Sequence, residues 1–229
     1  VALEARGQYL VVMDVDSTLI QDEVVDILGE LAGVGSAVSE ITAAAMGGKL
    51  DFTQALRARV SLLAGAPAGL IEQARELITL TPGARTLCRT LNRLGYQIVL
   101  VSGGFTNVIE PIARELGVSA VRANTLEVID DVITGNVLDP IMDREGKREA
   151  LMHFAQEFNI PNRRTIAIGD GANDIDMISQ AGLGVAFNAK NVLRERADTT
   201  VNVPYLDSVL YLLGITRDEI LRSDRDGKI

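Results

Sequence analysis

The sequence predicts an α/β fold: a doubly wound parallel sheet of Rossmann-like type, with a helical cap subdomain inserted near its start. Two observations carry that prediction. Three short apolar runs stop abruptly at small or acidic residues and give way to helical periodicity, and one stretch, residues 21–80, reads as successive helices with no strand between them.

The first run is Tyr9, Leu10, Val11, Val12 and Met13, ending at Asp14. The second is Gln97, Ile98, Val99, Leu100 and Val101, ending at Ser102, and the third is Thr165, Ile166, Ala167 and Ile168, ending at Gly169 and Asp170. Continuous apolar runs of this kind suit strands buried on both faces, as inside a parallel sheet. Weaker strands are expected at 120–123, 184–187 and 200–203, and helices at 82–94, 106–116, 146–158, 174–181 and 191–197. Within residues 21–80, Phe52, Leu56, Val60 and Leu63 recur at helical spacing, which assigns Arg57 and Arg59 to other faces. Residues 126–137 carry Asp130 and Asp131 between β-prone residues, the mark of a small hairpin. The expected division is a catalytic core of residues 1–20 and 81–229 around a cap of residues 21–80, with residues 223–229 polar enough to fray.

Composition bounds the function. Of 229 residues, 47% are hydrophobic but only 4% aromatic, with no Trp, so the core must be built from Val, Ile, Leu and Ala. A net charge of -9 repels nucleic acid, and no run of Lys or Arg offers an exception. No apolar run approaches the ~18 residues that suggest a membrane span, so a soluble, cytoplasmic protein is expected, with no membrane partner. The single thiol, Cys88, cannot form an internal disulfide and reads as a buried structural residue. The chain opens on Val1 rather than Met, as expected of a fragment or processed product of a longer chain. The expected partner is a small-molecule anion, which a chain of this charge can bind only with local cations; oligomeric state is open, a homodimer included.

In doubly wound sheets the ligand crevice lies beyond the carboxyl ends of the strands, where the polar clusters fall. Asp14 and Asp16 at a strand exit can serve as nucleophile and proton carrier, although an Asp-x-Asp pair alone often marks a turn or a helix cap. Ser102, Gly103 and Gly104 before a helix offer a hydroxyl and free amides to phosphate oxygens, or form an ordinary strand-to-helix turn. Gly169, Asp170, Gly171, Ala172, Asn173 and Asp174 bring two further carboxylates. Four converging acids call for a hard divalent cation with oxygen ligands, best met by Mg2+. Lys147, near a helix start, can hold a nucleophile ionised, although such a lysine is more often a solvated surface charge.

These four pieces, in this order from Asp14 to Asp174, resemble the haloacid dehalogenase-like superfamily of phosphatases. The run from Asp14 to Leu19 followed by Glu23, and the stretch from Ala45 and Met46 through Phe52 to Arg59 and Leu63, look like its phosphoserine phosphatase branch in particular. The resemblance implies hydrolysis of O-phospho-L-serine to serine and phosphate through a phosphoaspartyl intermediate, the last step of serine biosynthesis. It implies that Asp14 attacks phosphorus, that Asp16 protonates the leaving group and later deprotonates water, and that Asp14, Asp170 and the main-chain carbonyl of Asp16 bind Mg2+, with Asp174 orienting its waters. Ser102, Gly103, Lys147 and Asn173 would hold phosphoryl oxygens. Glu23 would meet the substrate ammonium and Arg59 its carboxylate, with Met46 and Phe52 closing the pocket. Read from the residues alone, Glu23 and Arg59 are equally solvated helix charges, and Met46 and Phe52 plain cap core.

Three rivals remain at this level. A phosphatase or phosphotransferase of the same fold could act on another small phosphomonoester. A signalling receiver module also sets acids, a hydroxyl and a lysine at parallel strand ends, but Asp16 and the helical insertion speak against it, and an inactive phosphate-binding scaffold would leave the Asp14 and Asp16 pair without purpose. His153, the sole histidine, is expected to take no catalytic part.

Overall fold

The computed structural model describes residues 8–46 and 48–226, with the side chains of Met46 and residues 224–226 set aside. Seven strands form one sheet, β1 (Leu10–Met13), β2 (Gln97–Phe105), β3 (Ala120–Ile129), β4 (Val132–Leu138), β5 (Thr165–Gly169), β6 (Leu183–Phe187) and β7 (Thr199–Val201), in the order β4-β3-β2-β1-β5-β6-β7. All neighbours are parallel except β3 and β4. The chain runs outward from β1 through β2 and β3, then restarts at β5 on the other side, which makes the β1–β5 boundary the crevice of a doubly wound sheet.

Side-chain alternation divides the core into two layers. Val11 and Met13 join Ile98, Leu100, Ile166 and Ile168 on one face, whereas Leu10 and Val12 join Val99, Val101 and Ala167 on the other. The first layer is covered by α5 (Ala84–Arg93), α6 (Thr106–Glu115), α10 (Ser208–Leu212) and α11 (Arg217–Asp226), which contribute Leu87, Val108, Val209 and Ile220. The second is covered by α7 (Arg144–Glu157), α8 (Ile175–Gln180) and α9 (Asn191–Arg194), which contribute Leu151, Met177 and Leu193. Cys88 is buried in the first layer, and burial pushes its thiol up to about 12, the behaviour of a structural residue. No helix among the described residues is long and apolar enough to cross a membrane.

Between a tight turn at Val15–Leu19 and α5 lie α1 (Val24–Leu31), α2 (Gly35–Met46), α3 (Phe52–Ser61) and α4 (Gly69–Leu77), helical throughout as the sequence predicts. The two chain passages into this segment pair with each other: Gln21 N–H donates to Thr79 O at 2.9 Å and Thr81 N–H to Leu19 O at 2.9 Å. Asp51 caps α3 reciprocally with Gln54, so the helix begins at Phe52 and its register is set. Arg59 is seven residues on, about two turns, and it lines the same cavity as Phe52 and Leu56 rather than lying on a face apart from the stripe of Phe52, Leu56, Val60 and Leu63, as the sequence spacing suggests.

Three boundaries differ from the sequence reading. β2 does not stop before Ser102 but runs to Phe105, bulging at Gly103 and Gly104. The hairpin pairs residues 125–129 with 132–138, within a residue of the expected 126–137, but its first strand is continuous with the strand expected at 120–123, so that β3 pairs with β2 along its first half and with β4 along its second. Its turn places Asp130 and Asp131 at φ 50° and 60°, as a two-residue turn of twisted strands requires. At the C-terminus, residues 223–226 are helical and continue α11, with Ser223 buried, whereas the rest of the segment expected to fray, residues 227–229, lies outside the described residues.

The hairpin also grips the helical segment. Gly65 N–H donates to Ile133 O at 2.9 Å, Ile133 N–H to Ala66 O at 2.8 Å, and Ala68 N–H to Asp131 O at 2.8 Å. Gly135 sits at φ +88°, where an added Cβ would lie 2.8 Å from the Ala64 methyl. Gly135→Ala therefore suffers both a left-handed backbone penalty and a clash, and we expect a loss of at least ~1 kcal/mol, read as a drop in Tm of roughly 2–4 °C per kcal/mol for a chain of this size. An unchanged Tm would show that the hairpin does not hold this segment.

Candidate active site

The register of the sheet assembles the site. Met13 lies opposite Ile168 on adjacent strands, so Asp14, the next residue, and Asp170, one beyond Gly169, emerge beside each other at the carboxyl edge. Asp14, Asp170 and Asp174 each present one oxygen within 4.8 Å of the others. Behind them Lys147, with 0% of its side chain exposed, places Nζ 2.8 Å from Asp14 Oδ1 and 2.8 Å from Asp174 Oδ1. It reaches this point because Asp143 caps α7, accepting from Gly146 N–H at 2.9 Å, and turns the first helical turn inward. Lys147 is thus the opposite of the solvated surface charge that its position alone suggests.

Asp174 is held on all sides: its Oδ2 accepts from the amides of Asp170 and Gly171, both at 3.1 Å, while Oδ1 takes the lysine. Asp14 Oδ1 accepts from Val15 N–H at 2.8 Å. Asp16 faces elsewhere: its Oδ1 accepts from Val24 N–H at 3.2 Å, and Ser102 Oγ donates to its Oδ2 at 3.4 Å. Ser17, in a left-handed conformation next to it, donates from Oγ to Glu23 Oε1 at 2.8 Å.

The charges are out of balance. Burial, then the Asp174 charge, pushes the Asp14 carboxyl well above the ordinary range against the pull of Lys147. Burial, then Asp174 and Glu23, raises Asp170 to about 6. Lys147 is itself raised, because Asp14 and Asp174 outweigh the effect of its burial. Three carboxylates against one buried ammonium leave a net negative pocket of oxygen donors, which fits a hard divalent cation. Burial, with Glu23's charge next, lifts Asp16 to about 7, only partly offset by Val24 N–H, Lys147 and Ser102.

Asp14, Asp16, Glu23, Phe52, Arg59, Gly103, Asp170 and Asn173 all line one cavity of about 460 Å³. Ser102, Lys147 and Asp174 lie buried directly behind its floor. Met46 ends α2, but its side chain lies outside the described residues. Arg59, half-buried, has its pKa lowered by burial and raised in part by Asp26, Glu23 and Asp16. His153 is exposed on α7 beside Glu157, away from the cavity lining.

Two lining cations escaped the sequence reading. Arg144 is ion-paired to Asp176 through two nitrogens, and no spacing signal marks it. Lys190 follows β6, and its N–H donates to Asp170 O at 3.0 Å. It stands at a fourth strand exit on the same sheet edge, so inspecting the end of the weak 184–187 strand finds it.

The model of the haloacid dehalogenase-like hydrolases matches residues 11–179. The chain belongs to that family. As a haloacid dehalogenase-like hydrolase it is 58% identical over 222 residues to a phosphoserine phosphatase of Streptomyces coelicolor, covering 97% of this chain and 54% of that protein. It thus spans about half the length of that relative. It is 46% identical over 210 residues to a phosphoserine phosphatase of Streptococcus thermophilus, covering 92% of this chain and 97% of the other. Among solved structures it resembles a phospho-aspartyl intermediate analogue of phosphoserine phosphatase, with TM-score 0.85, 40% identity, and coverage of 91% of this chain and 100% of that one.

The charge imbalance has a measurable consequence. Asp170 is raised from 3.8 to about 6, so the folded chain binds the extra proton between these values, and stability from this group falls as pH rises through that window. A divalent cation held by these carboxylates would compete with that proton. We expect a divalent cation, compared with EDTA, to raise Tm strongly at about pH 8 and far less at about pH 5; equal shifts at both would contradict the proposed role of the carboxylates.

Proposed function

We propose that this chain is a Mg2+-dependent phosphoserine phosphatase, a phosphoric monoester hydrolase acting through a phosphoaspartyl intermediate. The observation that carries the reading is the lining of one cavity, about 460 Å³, by Asp14 and Asp16 on the sheet edge and by Glu23 and Arg59 opposite. A zwitterionic phosphomonoester matches that arrangement: phosphoryl group toward the sheet, ammonium toward Glu23, carboxylate toward the Arg59 fork. In this reading residues 21–80 act as a specificity cap on a core of residues 1–20 and 81–229.

Val15 and Lys147 both bind Asp14 Oδ1, so Oδ2 is the oxygen left to attack phosphorus. As the Asp14–phosphorus bond forms and the phosphorus–seryl oxygen bond breaks, Asp16 gives its proton to the departing oxygen. Asp16 then takes a proton from water, whose oxygen bonds to phosphorus as the Asp14–phosphorus bond breaks. A group lifted to about 7 suits both roles near neutral pH. Gly103, Ser102, Lys147 and Asn173 would bind the phosphoryl oxygens, and Phe52, with Met46, would exclude water. Asp14, Asp170 and the Asp16 carbonyl would hold Mg2+, with Asp174 beside it; when bound, the ion neutralises phosphoryl charge. The reaction would take place in the cytoplasm, where an unpaired thiol such as Cys88 stays reduced.

Mg2+-dependent phosphate release from phosphoserine tests the proposal. Asp14→Asn should abolish steady-state turnover while substrate still binds. Arg59→Ala should raise KM for phosphoserine by roughly 10-fold or more but leave phosphoethanolamine, which lacks the carboxylate, little changed. Appreciable turnover by Asp14→Asn, or equal use of the two substrates by the parent chain, would refute the corresponding assignment.

A further inference from the structure

β2 and β3 pair in step from Val99 opposite Ala120 to Ser102 opposite Ala123, and the next partners are Phe105 and Asn124. Gly103 and Gly104 are therefore extra residues on β2, without ladder partners on β3. A side chain takes the place of one missing ladder bond. Asn124 Nδ2 donates to Gly103 O at 2.8 Å, while Gly104 N–H, at the other end of that same peptide group, donates to Ser102 Oγ at 2.8 Å. The amide oxygen of Asn124 is also engaged: it accepts from Met142 N–H at 2.7 Å, immediately before the Asp143 cap of the helix that carries Lys147. Asn124 is wholly buried, and only a group with both a donor and an acceptor can satisfy these two backbone atoms at once.

We infer that Asn124 is a positioning residue of the phosphoryl site, clamping the Gly103–Gly104 peptide so that Gly104 N–H occupies a lone pair of Ser102 Oγ and the serine proton is directed into the site, toward Asp16 Oδ2 here and toward a phosphoryl oxygen when one is bound. Without the clamp the peptide can rotate, Gly103 O loses its buried donor, and a carbonyl can turn toward the place of the phosphoryl oxygens. Asn124 also ties the bulge to the loop before Lys147, coupling the two elements that would contact those oxygens. The inference rests on the reading of the cavity as a phosphomonoester site, but not on phosphoserine as the substrate.

The test uses the Mg2+-loaded chain, p-nitrophenyl phosphate as a generic substrate and orthovanadate as a phosphoryl mimic whose binding is read by calorimetry. Asn124→Ala should weaken vanadate binding and raise KM by roughly 10-fold or more. Asn124→Asp keeps the shape and the acceptor for Met142 but loses the donor to Gly103 O, and should behave likewise. Leu87→Val, a core truncation in α5, should lower Tm without changing vanadate affinity. KM and vanadate affinity are properties of each folded molecule, so a merely structural role would leave both unchanged. Unchanged vanadate binding in either folded Asn124 variant would overturn the inference. Absence of p-nitrophenyl phosphate turnover by the parent chain would instead count against the hydrolase reading, since the vanadate measurement needs no turnover.

Discussion

The ammonium of Lys147, wholly removed from water and 2.8 Å from carboxylates that follow two neighbouring strands, is the interaction on which the rest of the site depends. Burying ions is expensive, and such a group persists only when paired and hydrogen-bonded. Here the lysine joins the end of β1, the loop after β5 and the first turn of α7 at a single atom. Each carboxylate it touches is in turn held by backbone amides, so the charges are fixed in direction as well as in place. A single ammonium does not balance three acids, and that residual negative charge is what fits the pocket to a cation and distinguishes it from a buried ion pair.

A division of labour follows. The sheet edge carries the groups suited to phosphoryl chemistry, and the α1–α4 segment supplies Glu23, Phe52, Leu56 and Arg59 to the same cavity. Because the segment enters and leaves through two paired passages and is bound again by the hairpin, its helices are tethered at two places. The contact of Phe52 with Gly103 shows how close the two sides come: a Cβ on Gly103 would lie 2.9 Å from the phenyl ring. Glycine there serves the close approach of a neighbouring ring as much as any backbone conformation.

Asp16 illustrates how environment assigns different work to like residues. It shares burial with Asp14 two positions earlier, yet it turns away from Lys147 toward Val24 N–H and Ser102, next to the charge of Glu23. Burial raises both carboxyls, but one is held by the ammonium of Lys147 and the other stands beside the charge of Glu23, so the two neighbours differ in partners and not in burial.

The strands, the helical stretch and the acidic and glycine clusters that meet at the cavity were legible in the sequence, because apolar runs buried on both faces and polar clusters at their ends are local patterns. Asp14, Ser102 and Asp170 could be placed on one edge from topology rules alone. What the tertiary structure decided depended on partners distant in the chain. Lys147 became buried because Asp14 and Asp174 surround it, Arg59 faced the cavity because the cap at Asp51 sets the register of α3, and the 120–123 strand merged with the hairpin because β3 found a different partner for each half. Asn124 carries no signal of its own, since the two backbone atoms it satisfies exist as unpaired groups only once a bulge forms on the neighbouring strand. Periodicity and strand-end chemistry are written in consecutive residues; pairing, burial and charge balance arise only where separate segments meet.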